Sequence, residues 1–519
     1  MDNLSLTSLD SMCPNARKVN GHVCAACSRQ LTIAKRLGEG VPKLDQTQIE
    51  SLHRELRETK SKINQTHDII QRIPLELIQI ILGQACPSSP PFQLGAVCRF
   101  WRDVVWSAPN LWTNVTFVLS DTNLSNRIGL LKQVTSLSGN APLKIEISEG
   151  RSLTWSSENI QNNEDFHLLL DVILDCSSRW LDLNLTAPVY FIRQLHLASS
   201  STPILNSLTL AACVMEKLEE PFSLDLQHLT QRLRNFEISE TDCLRLDLFQ
   251  ISFNHLAVLK APGSTAKWYD VICSAPALSS VQIIGCELGL WEAEEDEPTP
   301  PQAPFVHKSL QTFLLEGGRE TWYFSFFFEW LSLPNLKHLE IRVHLAGIQS
   351  DSVERFLARS ACSLDSLVLS DQSWSVTSLS SIFVHLPALT RLSLLYSGTL
   401  TSAKDYCAAV FQTGSEDRGS SRAIAPLPSL QMFELEASWP MADGFNFLTD
   451  IFHQVTHNQT SFSRLSLYLR ADRPSISNAR LSKEILRRIE EFSSGQREVR
   501  IGLFGELNIP NIIEYSTAV

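Results

Sequence analysis

The chain has 519 residues, 44% hydrophobic and 19% charged, a balance that excludes a wholly disordered polymer and is that of folded domains. Its formal net charge of −12, with no Lys/Arg-rich run, argues against a general nucleic-acid or anionic-membrane binder. The first residues lack a basic start followed by an apolar stretch, and the most apolar window, Thr321–Leu333, is too short to span a bilayer and contains Glu329. The expectation is an intracellular protein, cytoplasmic or nuclear, with no membrane and no nucleic acid among its partners.

Residues 1–43 are polar and without periodicity, and are expected to form a flexible tail. The tail carries Cys13, His22, Cys24 and Cys27, of which the last two have zinc-ligand spacing. No second half-site follows at the usual distance, so free thiols are the simpler reading, zinc remains an alternative, and no metal site is assigned. The other cysteines are scattered among apolar residues, as reduced core thiols are.

Over 44–72 a heptad pattern sets in. Ile49, Leu52, Leu56, Thr59, Ile63, Thr66, Ile70 and Ile73 fall at alternating steps of three and four, and Glu50–Arg54 and Glu58–Lys62 place opposite charges four apart. The spacing predicts an amphipathic, coiled-coil-like helix. Threonine at two seam positions leaves two readings open: a helix packed on its own domain, and a dimerising one.

The segment 73–120 is crowded with large apolar residues. Pro74 suits the first turn of a helix in which Leu77, Ile78, Ile81 and Leu82 are expected to form one apolar face. After a Pro-rich loop, Leu94, Val97, Cys98, Trp101 and Val105 repeat at helical spacing, and Leu111–Trp112 closes the segment. So small a module cannot bury all of these side chains, and some should wait at its surface for a partner.

The order Ile73-Pro-Leu-Glu-Leu-Ile, then Val97-Cys-Arg-Phe-Trp-Arg102, then Leu111–Trp112, resembles the F-box, in which a leucine-proline-x-glutamate start, a valine-cysteine-x-x-tryptophan-arginine core and a final leucine-tryptophan follow one another. Ile73 stands where leucine is usual. The heptad-like helix and long loop resemble members of the large fungal F-box families. The resemblance implies that Pro74, Leu77, Ile78, Ile81, Val97, Trp101, Leu111 and Trp112 serve contact with a Skp-type adaptor or the integrity of the module, linking the chain to a cullin ligase.

From 121 to 505 an L-x-x-L-x-L unit recurs. It begins at Leu205, Leu233, Leu256, Leu278, Leu310, Leu336, Leu364, Leu389, Leu430 and Phe462, at steps of roughly 22 to 32 residues with one of about 41. Apolar segments ending in proline, such as those before Ala277, Asn335 and Ala388, read as helices between the units. The expected fold class is therefore α/β: a small all-α F-box module followed by an irregular leucine-rich-repeat solenoid, strand plus helix per repeat. Loops are expected near 291–304, which is acidic, and near 413–428, which is polar. Lys483–Phe492 reads as an amphipathic helix within a final unit, and 506–519 as a tail.

No phosphate loop, dinucleotide fingerprint, H-E-x-x-H or G-x-S-x-G is present, and Ser264–Lys267 matches S-x-x-K without its partner motifs. An enzyme is not expected, and no catalytic residue or cofactor is assigned. The expected function is substrate recognition for a cullin-type ubiquitin ligase, the alternative a repeat scaffold without that link. Strand alternation puts Glu316, His338, Glu340, Arg342, Arg391, Glu434, Glu436 and Tyr468 on the outward strand face, the expected substrate-binding surface, most plausibly concave. That set leans acidic and suggests a basic or polar protein substrate.

Overall fold

A computed structural model of the chain describes residues 46–67, 73–85, 91–119, 123–149, 163–198, 204–212, 223–239, 244–263, 265–284, 301–317, 324–343, 350–370, 376–395, 427–439, 463–471, 498–504 and 510–513, with single residues elsewhere. It divides into two compact units: residues 1–112 with 137–139, and the remainder.

Among the described residues up to 112, every regular element is helical: α1 (Gln46–His67), α2 (Leu75–Ala85), α3 (Phe92–Gly95), α4 (Arg99–Ser107) and a 3-10 turn, Pro109–Trp112. Ser28, Arg29, Thr32, Ile33 and Lys35, expected in the flexible tail, also have helical backbone. Arg29 reaches Glu55 of α1 at 2.7 Å. The heptad-patterned helix therefore packs on its own chain at this point.

Trp112 is the centre of the helical unit. Its ring is fully buried, meets Phe92 edge-on at 5.0 Å and Trp106 at 5.6 Å, and its indole N–H donates to the Val105 carbonyl at 2.7 Å. Ile78, Leu82, Val104 and Val105 complete the core. The single second helix expected from Leu94 onward is broken in two. Cys98 has extended backbone (φ −156°, ψ 172°) and caps α4, its sulfur accepting the Trp101 N–H at 3.4 Å. With that break, Val97 leaves the apolar row and lies in the turn before α4.

The second unit is a mixed α/β, solenoid-like body built on one 15-stranded sheet. In chain order its strands are β1 (Asn114–Leu119), β2 (Leu143–Glu149), β3 (Trp180–Ala187), β4 (Ser207–Ala212), β5 (Asn235–Ile238), β6 (Val258–Pro262), β7 (Ser280–Ile284), β8 (Thr312–Gly317), β9 (His338–Val343), β10 (Ser366–Ser370), β11 (Arg391–Leu395), β12 (Met432–Trp439), β13 (Arg464–Ala471), β14 (Glu498–Phe504) and β15 (Pro510–Ile513). Strands pair in sequence order and in parallel, until β15 turns back antiparallel on β14.

Register follows the leucines. Leu339, Leu367, Leu392, Phe433 and Leu465 lie opposite one another across β9–β13, and Ile341, Leu369, Leu394, Leu435 and Leu467 form the next rung. All ten are buried. Each strand alone would expose this apolar edge, and stacking removes it from water at about 1.5–3 kcal/mol per large side chain.

Three differences from the sequence reading concern the sheet. The segment to 120, expected to be all helical, ends in strand β1, and β1–β3 precede the first recognised unit at Leu205. Residues 510–513, expected in a tail, form β15. Among the described residues helices are seen in only some connections: α5 (Leu124–Leu137), α6 (Glu164–Asp175), α7 (Val189–Arg193), α8 (Thr265–Ser274), α9 (Phe324–Trp330), α10 (Ser350–Ser360) and α11 (Val376–Val384). Around β5 the described connections instead use turns and a two-residue strand pair, Leu224–Asp225 with Phe249–Gln250. The cysteine group at 13–27 and most of the loops near 291–304 and 413–428 and of the 483–492 segment lie outside the described residues.

Polar side chains tie successive repeats together. His307, buried, donates through Nε2 to the Ala275 carbonyl at 3.0 Å and accepts the Leu310 N–H on Nδ1 at 3.1 Å. Arg359 closes the C-terminal end of α9, giving hydrogen bonds to the carbonyls of Phe328 at 2.5 Å and Leu331 at 2.7 Å. Burial pulls its guanidinium below the ordinary value. Ser360 accepts the Leu333 N–H at 3.0 Å. Each satisfies a backbone group where two repeats meet.

Candidate functional site

Two surfaces carry the residues singled out by sequence, one on each unit. On the helical unit, α2 is apolar nearly all round, and the fold uses only part of it. Ile78 and Leu82, four apart, are 2% exposed, while Leu77 and Ile81 are each 50% exposed. The single apolar face expected for these four residues is therefore split. A helix apolar on all sides must bury one stripe in its own domain and present the rest. Leu75 and Ile80 join Leu77 and Ile81 outside, and Pro74 is also exposed.

Val97, at 62%, and Trp106 add two more exposed apolar side chains on the same unit. Sequence reading named Val97 and missed Leu75, Ile80 and Trp106. Trp101 and Leu111 are half-buried, and Leu111 stands close to α2, since a Cβ added at Gly83 would lie 3.5 Å from its Cδ2. Trp112 and Ile78 are core residues, and their contribution to any partner is indirect.

On the sheet unit, outward residues line up in rungs of their own. One runs His338, Ser366, Arg391, Met432, Arg464 from β9 to β13, and the next Glu340, Val368, Ser393, Glu434, Ser466. Glu316 and Arg342 face each other on β8 and β9, as do Glu436 and Tyr468 on β12 and β13. The Tyr468 side chain lies outside the described residues.

Several acids here are already engaged by neighbours. Glu340 is ion-paired with Arg342, Glu316 accepts from Gln282 at 3.0 Å, and Glu434 accepts from Ser393 at 3.1 Å. Charge pairs across strands occur earlier in the sheet, Glu237–Lys260 at 2.8 Å and Lys144–Asp182 at 3.2 Å. Of these acids only Glu340 is charge-paired, while Glu316 and Glu434 keep their negative charge beside neutral donors, so much of the acidic lean read from sequence stays on this face. By contrast, the exposed Arg391 guanidinium has no hydrogen bond or ion pair among the described residues.

Among the described residues no group of three or more His, Cys, Asp or Glu side chains is placed to hold a metal ion, and no helix is long and apolar enough to cross a membrane. Burial pushes the thiols of Cys176 and Cys362 above their ordinary value, as in core cysteines. Tyr269 is pushed up to about 12, first by desolvation and then by the neighbouring Cys273.

No protein-family model matches the chain, and no curated protein matches it. Among solved structures, a Bacteroides fragilis protein determined by the Northeast Structural Genomics Consortium is 12% identical over 75% of this chain and 73% of its own, at a TM-score of 0.24. A likeness of that size carries no argument about fold or function.

Proposed function

We propose that the chain is a non-enzymatic adaptor: the helical unit is an F-box that docks on a Skp-type adaptor of a cullin ubiquitin ligase, and the sheet unit is a leucine-rich-repeat body that presents a protein substrate. The observation that carries this reading is the exposed apolar set Leu75, Leu77, Ile80, Ile81, Val97 and Trp106 on a unit whose own core is complete around Trp112. Contiguous exposed apolar surface on a small module is what a protein partner covers, and buried aliphatic and aromatic anchors supply most of the affinity at such contacts.

The mechanism is one of placement. Leu77 and Ile81, a turn apart on α2, enter a groove between partner helices as anchors of a helix-in-groove contact. The sheet unit, stiffened by its leucine rungs, presents the substrate, and catalysis belongs to the other subunits. The outward face presents the Glu316 and Glu434 carboxylates, held by neutral donors, and the Arg391 guanidinium, which has no partner among the described residues, and so suits a polar protein substrate.

The test is co-purification of the full chain with a purified Skp-type adaptor, beside a Leu77→Asp/Ile81→Asp variant. Binding by the wild type, lost in a variant whose circular dichroism and melting are unchanged, supports the adaptor reading. A folded wild-type chain that does not bind moves the protein to the class of repeat scaffolds without a ligase.

A further inference from the structure

We infer that α1 carries a parallel homodimer interface which residues of the same chain, Arg29 and Ile33, cover in cis. The helix has the heptad spacing of a two-stranded coiled coil, with Ile49, Leu52, Leu56, Thr59 and Ile63 along its seam. Thr59 is buried and its hydroxyl donates to the Glu55 carbonyl at 2.8 Å, so the polar atom is satisfied within the helix and the methyl is left to pack. A threonine held this way is less disruptive at a seam than its type suggests.

The flanking charges give the orientation. Glu55 stands one residue before the seam position Leu56, and Lys60 one residue after the seam position Thr59. In a parallel pair these flanking positions of consecutive heptads meet, so Glu55 of each copy faces Lys60 of the other. In an antiparallel pair the residues before the seam meet one another, so Glu55 meets Glu55 or Lys62, and Lys62 is already engaged within its own chain. Lys60 is exposed, and no hydrogen bond or ion pair engages it within the described residues. The charge complementarity selects a second, parallel copy as the occupant.

Glu55 is not free to make that contact. Both Nε and Nη2 of Arg29 converge on its Oε1, at 3.0 and 2.7 Å. Ile33, four residues on from Arg29 and so on the same helical face, is 3% exposed. Leu52 and Leu56 are half-buried rather than sealed. One carboxylate thus has two alternative cations, Arg29 of its own chain and Lys60 of a second copy, and cis cover and dimer exclude each other.

The experiment uses the full chain in sedimentation velocity over a wide concentration range. The wild type is expected to be monomeric. An Arg29→Ala/Ile33→Asp variant is expected to self-associate, and adding Leu52→Asp/Leu56→Asp to it should restore the monomer. In the released variant, Lys60→Glu should weaken the dimer about two- to thirtyfold, the range of the two symmetry-related exposed ion pairs that it removes, and Glu55→Lys/Lys60→Glu together should restore it. A released variant that keeps its helix content yet stays monomeric overturns the inference. So does a wild type already dimeric through α1.

Discussion

The two units solve the same packing problem in opposite ways. The sheet unit turns most of its large apolar residues inward, rung on rung, leaves Leu130, Leu197, Val258, Val306 and Val384 exposed at separate places, and pairs some outward charges across strands, such as Glu237 with Lys260. The helical unit completes a core around Trp112 and still leaves Leu75, Leu77, Ile80, Ile81 and Val97 at its surface. Apolar surface costs free energy in water in both units, and on the smaller one it is concentrated on a single helix, α2, where Leu75, Leu77, Ile80 and Ile81 are all exposed. Stability resides in the rungs, and under the proposed function recognition by apolar contact falls to α2 and the turn at Val97.

Substitutions can break that contrast at several strengths. The largest effect is expected in a rung: Phe313→Ala should lower the unfolding free energy by about 3–5 kcal/mol, while Leu77→Ala should change it by less than about 0.5 kcal/mol, as read from urea denaturation. Equal losses at the two positions would remove the distinction between core and contact residues.

Next is Arg359→Ala, which strips the hydrogen bonds from the Phe328 and Leu331 carbonyls. A loss of about 1–3 kcal/mol is expected, because buried acceptors are left without donors. Weaker is the surface ladder: Lys260→Ala, losing the pair with Glu237, should cost less than about 1 kcal/mol and vanish in high salt.

The smallest effect concerns the core thiols. Cys176 and Cys362 have folded pKa values raised above 9.0, mainly by burial. The folded state therefore holds these protons to higher pH than the unfolded state does. The stabilisation of the neutral thiols is present below the unfolded pKa and is lost as pH rises above about 9. Alkylation at neutral pH should spare both residues until the chain unfolds, and a Cys176→Ala/Cys362→Ala variant should show a shallower alkaline loss of stability.

Much of the sheet was legible in the sequence because a strand repeats every second residue and these strands begin with a leucine three positions earlier. Leu336/Leu339/Ile341 and Leu364/Leu367/Leu369 show both features, and both sets are buried. β2, Leu143–Glu149, alternates as cleanly, but no leucine stands three residues before Leu143, and a reading keyed to the full unit passes over it. β15 has only four residues and owes its state to pairing with β14, which no local pattern encodes.

The candidate contact surface was less legible. In Leu75-Glu-Leu-Ile-Gln-Ile-Ile-Leu82 six of eight residues are large and apolar, so periodicity cannot say which stripe the domain keeps. Packing decided it, taking Ile78 and Leu82 and leaving Leu77 and Ile81. The break before α4 was hidden for a related reason: its cap is a cysteine, outside the usual Ser, Thr, Asp and Asn signals. Contacts between strands, such as Gln282 with Glu316 and Lys260 with Glu237, depend on register and could not be read along the chain.

The measurement that bears most directly on the account is amide hydrogen exchange of the full chain with and without a Skp-type adaptor. The account predicts new protection in α2 and in residues 96–106, with exchange across β4–β13 unchanged. Protection that instead falls on the sheet strands, or a bound complex that leaves α2 exchanging as before, would contradict it.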